Sequence, residues 1–188
     1  MRKVKLQMQM TINGYVAQLN GKNEWMTWNP DNEFIEFMKS MLDTSDTLLI
    51  GRKTAESIIK FWTDTAVETP THPFAKKIVG ITKVVFTKTL DKSIWNNTTL
   101  AKGNLAEEIT GLKNQTGKDI LVFGGAGFVS SLIKEGLIDE YNLIVNPTAM
   151  SGGMTIFNSV DGIQKFIPIK SKLFPGGKTV LSFKPKND

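Results

Sequence analysis

The chain has 188 residues, 40% hydrophobic and 22% charged, with 23 Lys and Arg against 18 Asp and Glu for a formal charge of +5. No cysteine and a single histidine exclude disulfides, zinc fingers, iron–sulfur clusters and thiol nucleophiles, and no metal site is expected. The length predicts a single domain over residues 1–188, able to bury about 70% of its unfolded surface without cross-links.

Met1-Arg2-Lys3 is followed by Val4, Leu6, Met8, Met10 and Ile12 alternating with polar residues. That period of two predicts a strand with one buried face and lacks the unbroken apolar stretch of a signal peptide. Asn13-Gly14 and Asn20-Gly21 mark turns. Phe34, Ile35, Phe37, Met38, Met41 and Leu42 predict an amphipathic helix entered at Pro30-Asp31, with Glu33 in its first turn. Residues 47–50 predict a short buried strand, and 53–60 a helix directly after Gly51. Residues 63–77, with Pro70, His72 and Pro73, are expected to form a loop.

Strands are then expected at 83–87, 119–123 and 141–145, with helices at 105–112 and 128–134. Met154 to Phe157 is short and apolar, and strands 166–174 and 179–183 form a hairpin turned at Pro175-Gly176-Gly177. Pro168 marks the first of that pair as an edge strand. Strands separated by helices imply parallel pairing with right-handed crossovers, and the terminal hairpin adds an antiparallel edge. The expected class is therefore α/β, a mostly parallel central sheet flanked by helices.

The positive charge favours an anionic partner through its long-range field, but the cations are scattered, so no nucleic-acid partner is expected. Nothing approaches the roughly 18 apolar residues of a membrane span. The expectation is a cytoplasmic protein with a small-molecule partner.

Three strand ends carry chemistry suited to phosphate. Val122-Phe123 runs into Gly124-Gly125-Ala126-Gly127-Phe128, where glycines let backbone amides approach a ligand at a helix N-terminus. The dinucleotide fingerprint is not met, because Ser130 stands where the third glycine belongs and no acid follows about 20 residues on. Gly51-Arg52-Lys53-Thr54 sets two cations and a hydroxyl at a second helix start, and Thr87-Lys88-Thr89 follows a third strand. In open parallel sheets ligands lie beyond the carboxyl ends of the strands. Arg52, Lys53 and Lys88 suit an extra phosphate, hence NADP rather than NAD. Lys178, next to Gly176-Gly177, only echoes a P-loop, since the segment joins two strands. His72, between prolines, is expected to be a loop residue without a triad or metal role. Trp25, Trp28, Trp62 and Trp95 are expected in core or lid packing, with a stacking wall for a planar ligand as the other reading of the first pair.

Gly51-Arg52-Lys53-Thr54 with Glu56-Ser57 resembles a dihydrofolate reductase motif that follows an early sheet strand. Lys118 to Gly125, Gly136 to Tyr141, and Pro147 through Gly152-Gly153 to Phe157 are similar to the C-terminal reductase domain of bifunctional riboflavin-biosynthesis proteins and its stand-alone bacterial relatives. The resemblance covers nearly the whole chain. It implies a dihydrofolate reductase-like fold, NADPH as hydride donor and a homodimer. Carried over by position, Gly51, Arg52, Lys53 and Thr54 would hold cofactor phosphates. Thr87, Lys88 and Thr89 would face the adenosine end, Gly124, Gly125, Ala126, Gly127 and Phe128 the pyrophosphate, and the turn from Asn13 to Ala17 the nicotinamide.

Two departures stand out. Asn13 replaces the Asp usual in riboflavin-pathway members, which removes a carboxylate beside the expected substrate. Trp28-Asn29-Pro30 with Glu33 and Phe37 resembles the first-helix arrangement of dihydrofolate reductases, so Asn13 and Trp28 are expected near substrate. Glu33 is the expected catalytic acid, with Asp31 the alternative and a helix-dipole role the competing reading of Glu33. No deaminase segment precedes the fold in these residues, so the expectation is not the bifunctional enzyme. The implied activity is an NADPH-dependent reductase acting on a small heterocycle or carbonyl, dihydrofolate-like or riboflavin-precursor-like. The alternative is a non-catalytic nucleotide-binding or regulatory protein on the same fold.

Overall fold

The computed structural model describes residues 1–26 and 30–186. Its elements are β1 (Val4–Thr11), α1 (Asn32–Asp43), β2 (Ser45–Gly51), α2 (Arg52–Glu68), α3 (Ala75–Gly80), β3 (Thr82–Phe86), β4 (Thr98–Ala101), α4 (Leu105–Lys113), β5 (Asp119–Val122), α5 (Ala126–Lys134), β6 (Glu140–Asn146), β7 (Phe166–Leu173) and β8 (Thr179–Pro185). They form one eight-stranded sheet in the order β4-β3-β2-β5-β1-β6-β8-β7. Strands β4 through β6 in that order are parallel, and β8 and β7 add antiparallel partners at one edge. This is the mostly parallel α/β architecture with a terminal hairpin that the alternation of elements predicts.

Side-chain alternation along the strands divides the core between two helical layers. Leu48, Ile50, Val85, Leu121 and Val180 pack with α1, α2 and α3, while Leu49, Val84, Ile120 and Val122 pack with α4 and α5. On β1, Val4, Leu6, Met8 and Met10 all join the second layer. The opposite face of β1 carries Lys5, Gln7, Gln9 and Thr11, so the sheet offers α1–α3 no apolar wall there. A cavity occupies that side.

Three local expectations need correction. Helix α2 runs on to Glu68 through residues expected to be loop, because the helix lies against α3; the Thr63 and Thr65 hydroxyls are satisfied by the Ile59 and Phe61 carbonyls of the preceding turn. Helix α3 itself was not expected. Its end is held by the buried Lys83 ammonium, which donates to the Val79 and Ile81 carbonyls at 2.8 and 2.9 Å. Strand β4 escapes the periodicity because it is four residues long, with only its last residue buried; pairing with β3 supplies what its own sequence lacks. Among the described residues no helix is long and apolar enough to cross a membrane.

Candidate active site

Strand register brings the three phosphate-suited segments together. Gly51 pairs with Phe86 across β2 and β3, and Leu49 pairs with Val122 across β2 and β5. The segments that follow, 52–54, 87–89 and 123–128, therefore leave the sheet side by side. They line a cavity of about 1220 Å³, above the range of roughly 300–1,000 Å³ usual for small-molecule pockets. All twelve residues expected to touch the cofactor, Gly51–Thr54, Thr87–Thr89 and Gly124–Phe128, lie on its wall.

The helix ends explain what this wall can hold. Helices α2 and α5 both start at the cavity, neither has a side-chain N-cap, and neither carries an acid in its first turn. By contrast α1 is capped by Asp31 and α4 by Asn104, both away from the cavity. Two adjacent N-termini with unused N–H groups and aligned dipoles form a site for anions. Gly125, the N-cap of α5, has φ +94°, and a Cβ there would sit 2.8 Å from Thr54 Oγ1. Gly51 is ordinary in φ, but a Cβ on it would come within 2.8 Å of Phe128 Cβ. The glycines thus let the two helix starts interlock. Phe128 in turn lies over Phe86, ring centroids 4.9 Å apart.

Arg52 spends one N–H on Glu56 Oε1 at 2.6 Å, four residues along its helix. Lys53 and Lys88 are exposed at the rim. The Thr87 hydroxyl accepts from the Thr89 and Leu90 amides, both at 3.1 Å, which fixes the turn that presents Lys88.

The other end of the cavity differs in chemistry. Met38 and Leu42 of α1, Ile58 and Trp62 of α2, and Phe74 and Ile78 line it together with Trp25. Gln7, Gln9, Asn20 and Asn23 add neutral polar groups, and Leu19 and Phe61 leave apolar surface exposed at the mouth. His72 also lines the cavity, its ring edge-on to Trp62 and Phe74 at centroid distances of 5.2 and 5.5 Å. Its Nδ1 accepts from the Phe74 amide at 3.2 Å, so the neutral ring carries its proton on Nε2. Burial pushes the imidazole below its usual pKa.

The residues expected to serve substrate are not gathered here. Glu33 lies outside the cavity: its carboxylate pairs with Lys172 of β7 at 2.7 Å on the exposed surface, so it is not placed to protonate a bound molecule. Asp31, the alternative, is consumed as the α1 cap, accepting from the Phe34 and Gly176 amides at 2.9 and 2.8 Å. Partial burial raises its pKa, but those backbone hydrogen bonds outweigh it and hold the carboxyl below the usual range. Asn13 also lies off the wall; its side chain bonds both backbone groups of Met150 and so ties the end of β1 to the 148–154 loop. Trp28 falls outside the described residues. Among the described residues the cavity wall holds no Asp or Glu.

His72 and Trp62 were not read as site residues. Trp62 follows Ala55 and Ile59 on the buried stripe of α2, a spacing that sequence alone cannot tell from core. The signal for His72 was its identity as the one imidazole in the chain.

Comparison with known proteins identifies the family and the fold. The family model described as RibD C-terminal domain matches residues 2–177, and the chain belongs to that family. The chain is 27% identical over 176 residues to the Bacillus subtilis uncharacterized protein YyaP, covering 94% of this chain and 91% of that one. Among solved structures, a putative riboflavin biosynthesis protein from Shewanella sp. PV-4 superimposes with TM-score 0.75 at 23% identity, each chain fully covered. Dihydrofolate reductase from Enterococcus faecalis, complexed with NADP(H), superimposes with TM-score 0.63 at 14% identity, covering 98% of this chain and 97% of that one. At those identities the structural likenesses establish the fold, that of the dihydrofolate reductase-like reductases.

Proposed function

We propose that this member of the RibD C-terminal domain family is an NADPH-dependent reductase of a small carbonyl or heterocyclic compound. The observation that carries the reading is the pair of uncapped helix N-termini, α2 and α5, interlocked through Gly51 and Gly125 at one end of a cavity large enough for a dinucleotide and an acceptor. The structural relatives that include an NADP(H) complex support it.

The donor set fits the cofactor. Unused amides at the starts of α2 and α5 suit a pyrophosphate, and the Gly124-Gly125 backbone offers close approach. Lys53, Lys88 and the remaining donors of Arg52 suit a further phosphate on the ribose. When bound, NADPH supplies hydride. The protein's part is to orient the acceptor against the apolar wall and exclude bulk water; the described wall carries no carboxylic acid, so a single water held at the site is the proton source.

Titration with NADPH, followed by nicotinamide fluorescence, tests the reading. Lys88→Ala and Lys53→Ala should each weaken NADPH about tenfold, the worth of one charge-assisted hydrogen bond, and leave NADH nearly unchanged. Equal effects on both nucleotides, or no binding by the parent protein, would refute it. Tight binding without turnover over a carbonyl and heterocycle panel would favour a nucleotide-binding regulator instead, a reading that the acid-free wall supports. We also propose a homodimer formed through edge strand β7, which exposes Ile167, Ile169 and Leu173. Sedimentation of Ile169→Lys as a monomer, against a dimeric parent, is the expected result.

A further inference from the structure

The two ends of the cavity differ in charge as well as in shape. Apart from His72, its titratable groups among the described residues are Arg52, Lys53 and Lys88, all at the ends of β2 and β3. The far end is walled by Trp25, Met38, Leu42, Trp62, Phe74 and Ile78 and offers an anion no cation. A phosphate or carboxylate moved there would lose its hydration and find only neutral donors, with no counter-charge, which burial penalises heavily. A flat apolar molecule would gain contact with the aromatic rings instead.

We infer that this end of the cavity is a subsite for a flat, uncharged, conjugated carbonyl compound whose oxygen accepts a hydrogen bond from His72 Nε2. The inference deepens the reductase reading and rests on it only in assigning the glycine-rich end to the dinucleotide. Three observations carry it. Among the described residues the wall carries no charged side chain at this end, which disfavours seating a phosphate or carboxylate group there. His72 is positioned by its neighbours: its ring makes edge contacts with Trp62 and Phe74, and the Phe74 amide donates to Nδ1. The remaining nitrogen of the neutral ring is then a donor and not a base. His72 is thus a positioning and polarising group that lowers the cost of seating a carbonyl oxygen in an apolar space.

Trp25 and Trp62 lie on the wall, so indole fluorescence reports on occupancy without turnover. The probes are 2-naphthaldehyde, its 6-carboxylate and naphthalene, each titrated into the intact protein. The aldehyde is expected to quench at least tenfold more tightly than the carboxylate. His72→Phe should weaken the aldehyde about fivefold while leaving naphthalene unchanged, which also shows that the variant is folded. Equal or tighter binding of the carboxylate, absence of quenching by the aldehyde, or an unchanged aldehyde-to-naphthalene ratio in His72→Phe would each overturn the inference. NADPH binding, measured separately, distinguishes the two readings. A protein that binds NADPH but prefers the carboxylate loses only the subsite. One that binds the aldehyde with the predicted selectivity but no NADPH loses only the cofactor assignment.

Discussion

Replacing Gly51 by alanine isolates the interlock between the starts of α2 and α5 at the glycine-rich end of the cavity. The backbone at Gly51, φ −73° and ψ 144°, is ordinary for alanine, so strain in the chain itself contributes nothing. The added Cβ would stand 2.8 Å from Phe128 Cβ and 3.3 Å from its Cγ, about 0.6 Å inside ordinary carbon contact for the first. A Cβ is fixed to its backbone, so rotation of the Phe128 ring cannot relieve the contact; α5 must move off the end of β2. Overpacking of this kind costs about 1–3 kcal/mol, or a Tm fall of roughly 3–10 °C at this size. Because the displaced element is the α5 N-terminus, NADPH affinity should fall together with stability. Thermal unfolding and NADPH titration of Gly51→Ala, Phe128→Ala and the double variant make the cycle. Phe128→Ala should not rescue, since its Cβ remains, whereas Phe128→Gly should recover part of the loss. Unchanged Tm and unchanged NADPH affinity in Gly51→Ala would refute the close approach of the two helices.

Other outcomes follow from the same contacts. Gly111→Ala, within α4 and with open space where a Cβ would go, should stabilise by about 0.5–1 kcal/mol in urea unfolding and leave NADPH binding alone. Glu33→Gln breaks only the exposed pair with Lys172, so turnover and Tm should both stay within error of the parent; a large fall in turnover would restore Glu33 as the acid. The folded-state pKa of His72 is depressed by burial, so the unfolded chain binds its proton first as pH drops. Stability should therefore be full above the ordinary histidine value near 6.5 and decline below it, and Tm profiles of His72→Phe should lack that component. Asp31 has the same sense for a different reason: its depressed carboxyl pKa lends stability that is lost as acid protonates the α1 cap, a loss that Asp31→Ala should show at neutral pH already.

Periodicity and glycine placement made the fold legible. The alternation of Val4, Leu6, Met8 and Met10 marks β1, and the 3–4 spacing from Phe34 to Leu42 marks α1, because each pattern has one physical period and one buried face. The strand-end positions of Gly51 and Gly124 could be read in the same way. What failed were segments whose structure comes from neighbours. Residues 98–101 form β4 by pairing with the edge of β3, and residues 63–68 belong to a helix, α2, that packs as a whole against α3.

The sequence by itself determined which groups could do chemistry: no thiol, one imidazole, and cations with glycines at three strand ends. It also determined that those ends share one edge of a parallel sheet, since the order of elements allows little else. Only the tertiary structure decided which polar residues face the cavity. Glu33 and Asp31 sit at the start of α1, the helix whose Met38 and Leu42 reach the cavity, yet Lys172 and Gly176, more than a hundred residues away in the chain, hold them elsewhere. His72, in a loop without periodicity, reaches the wall because Trp62 and Phe74 bracket it. Local spacing encodes which face of an element is buried, whereas the partner that captures a charged side chain is fixed by long-range packing, and that is why the glycine-rich end of the cavity could be read from the chain and the aromatic end could not.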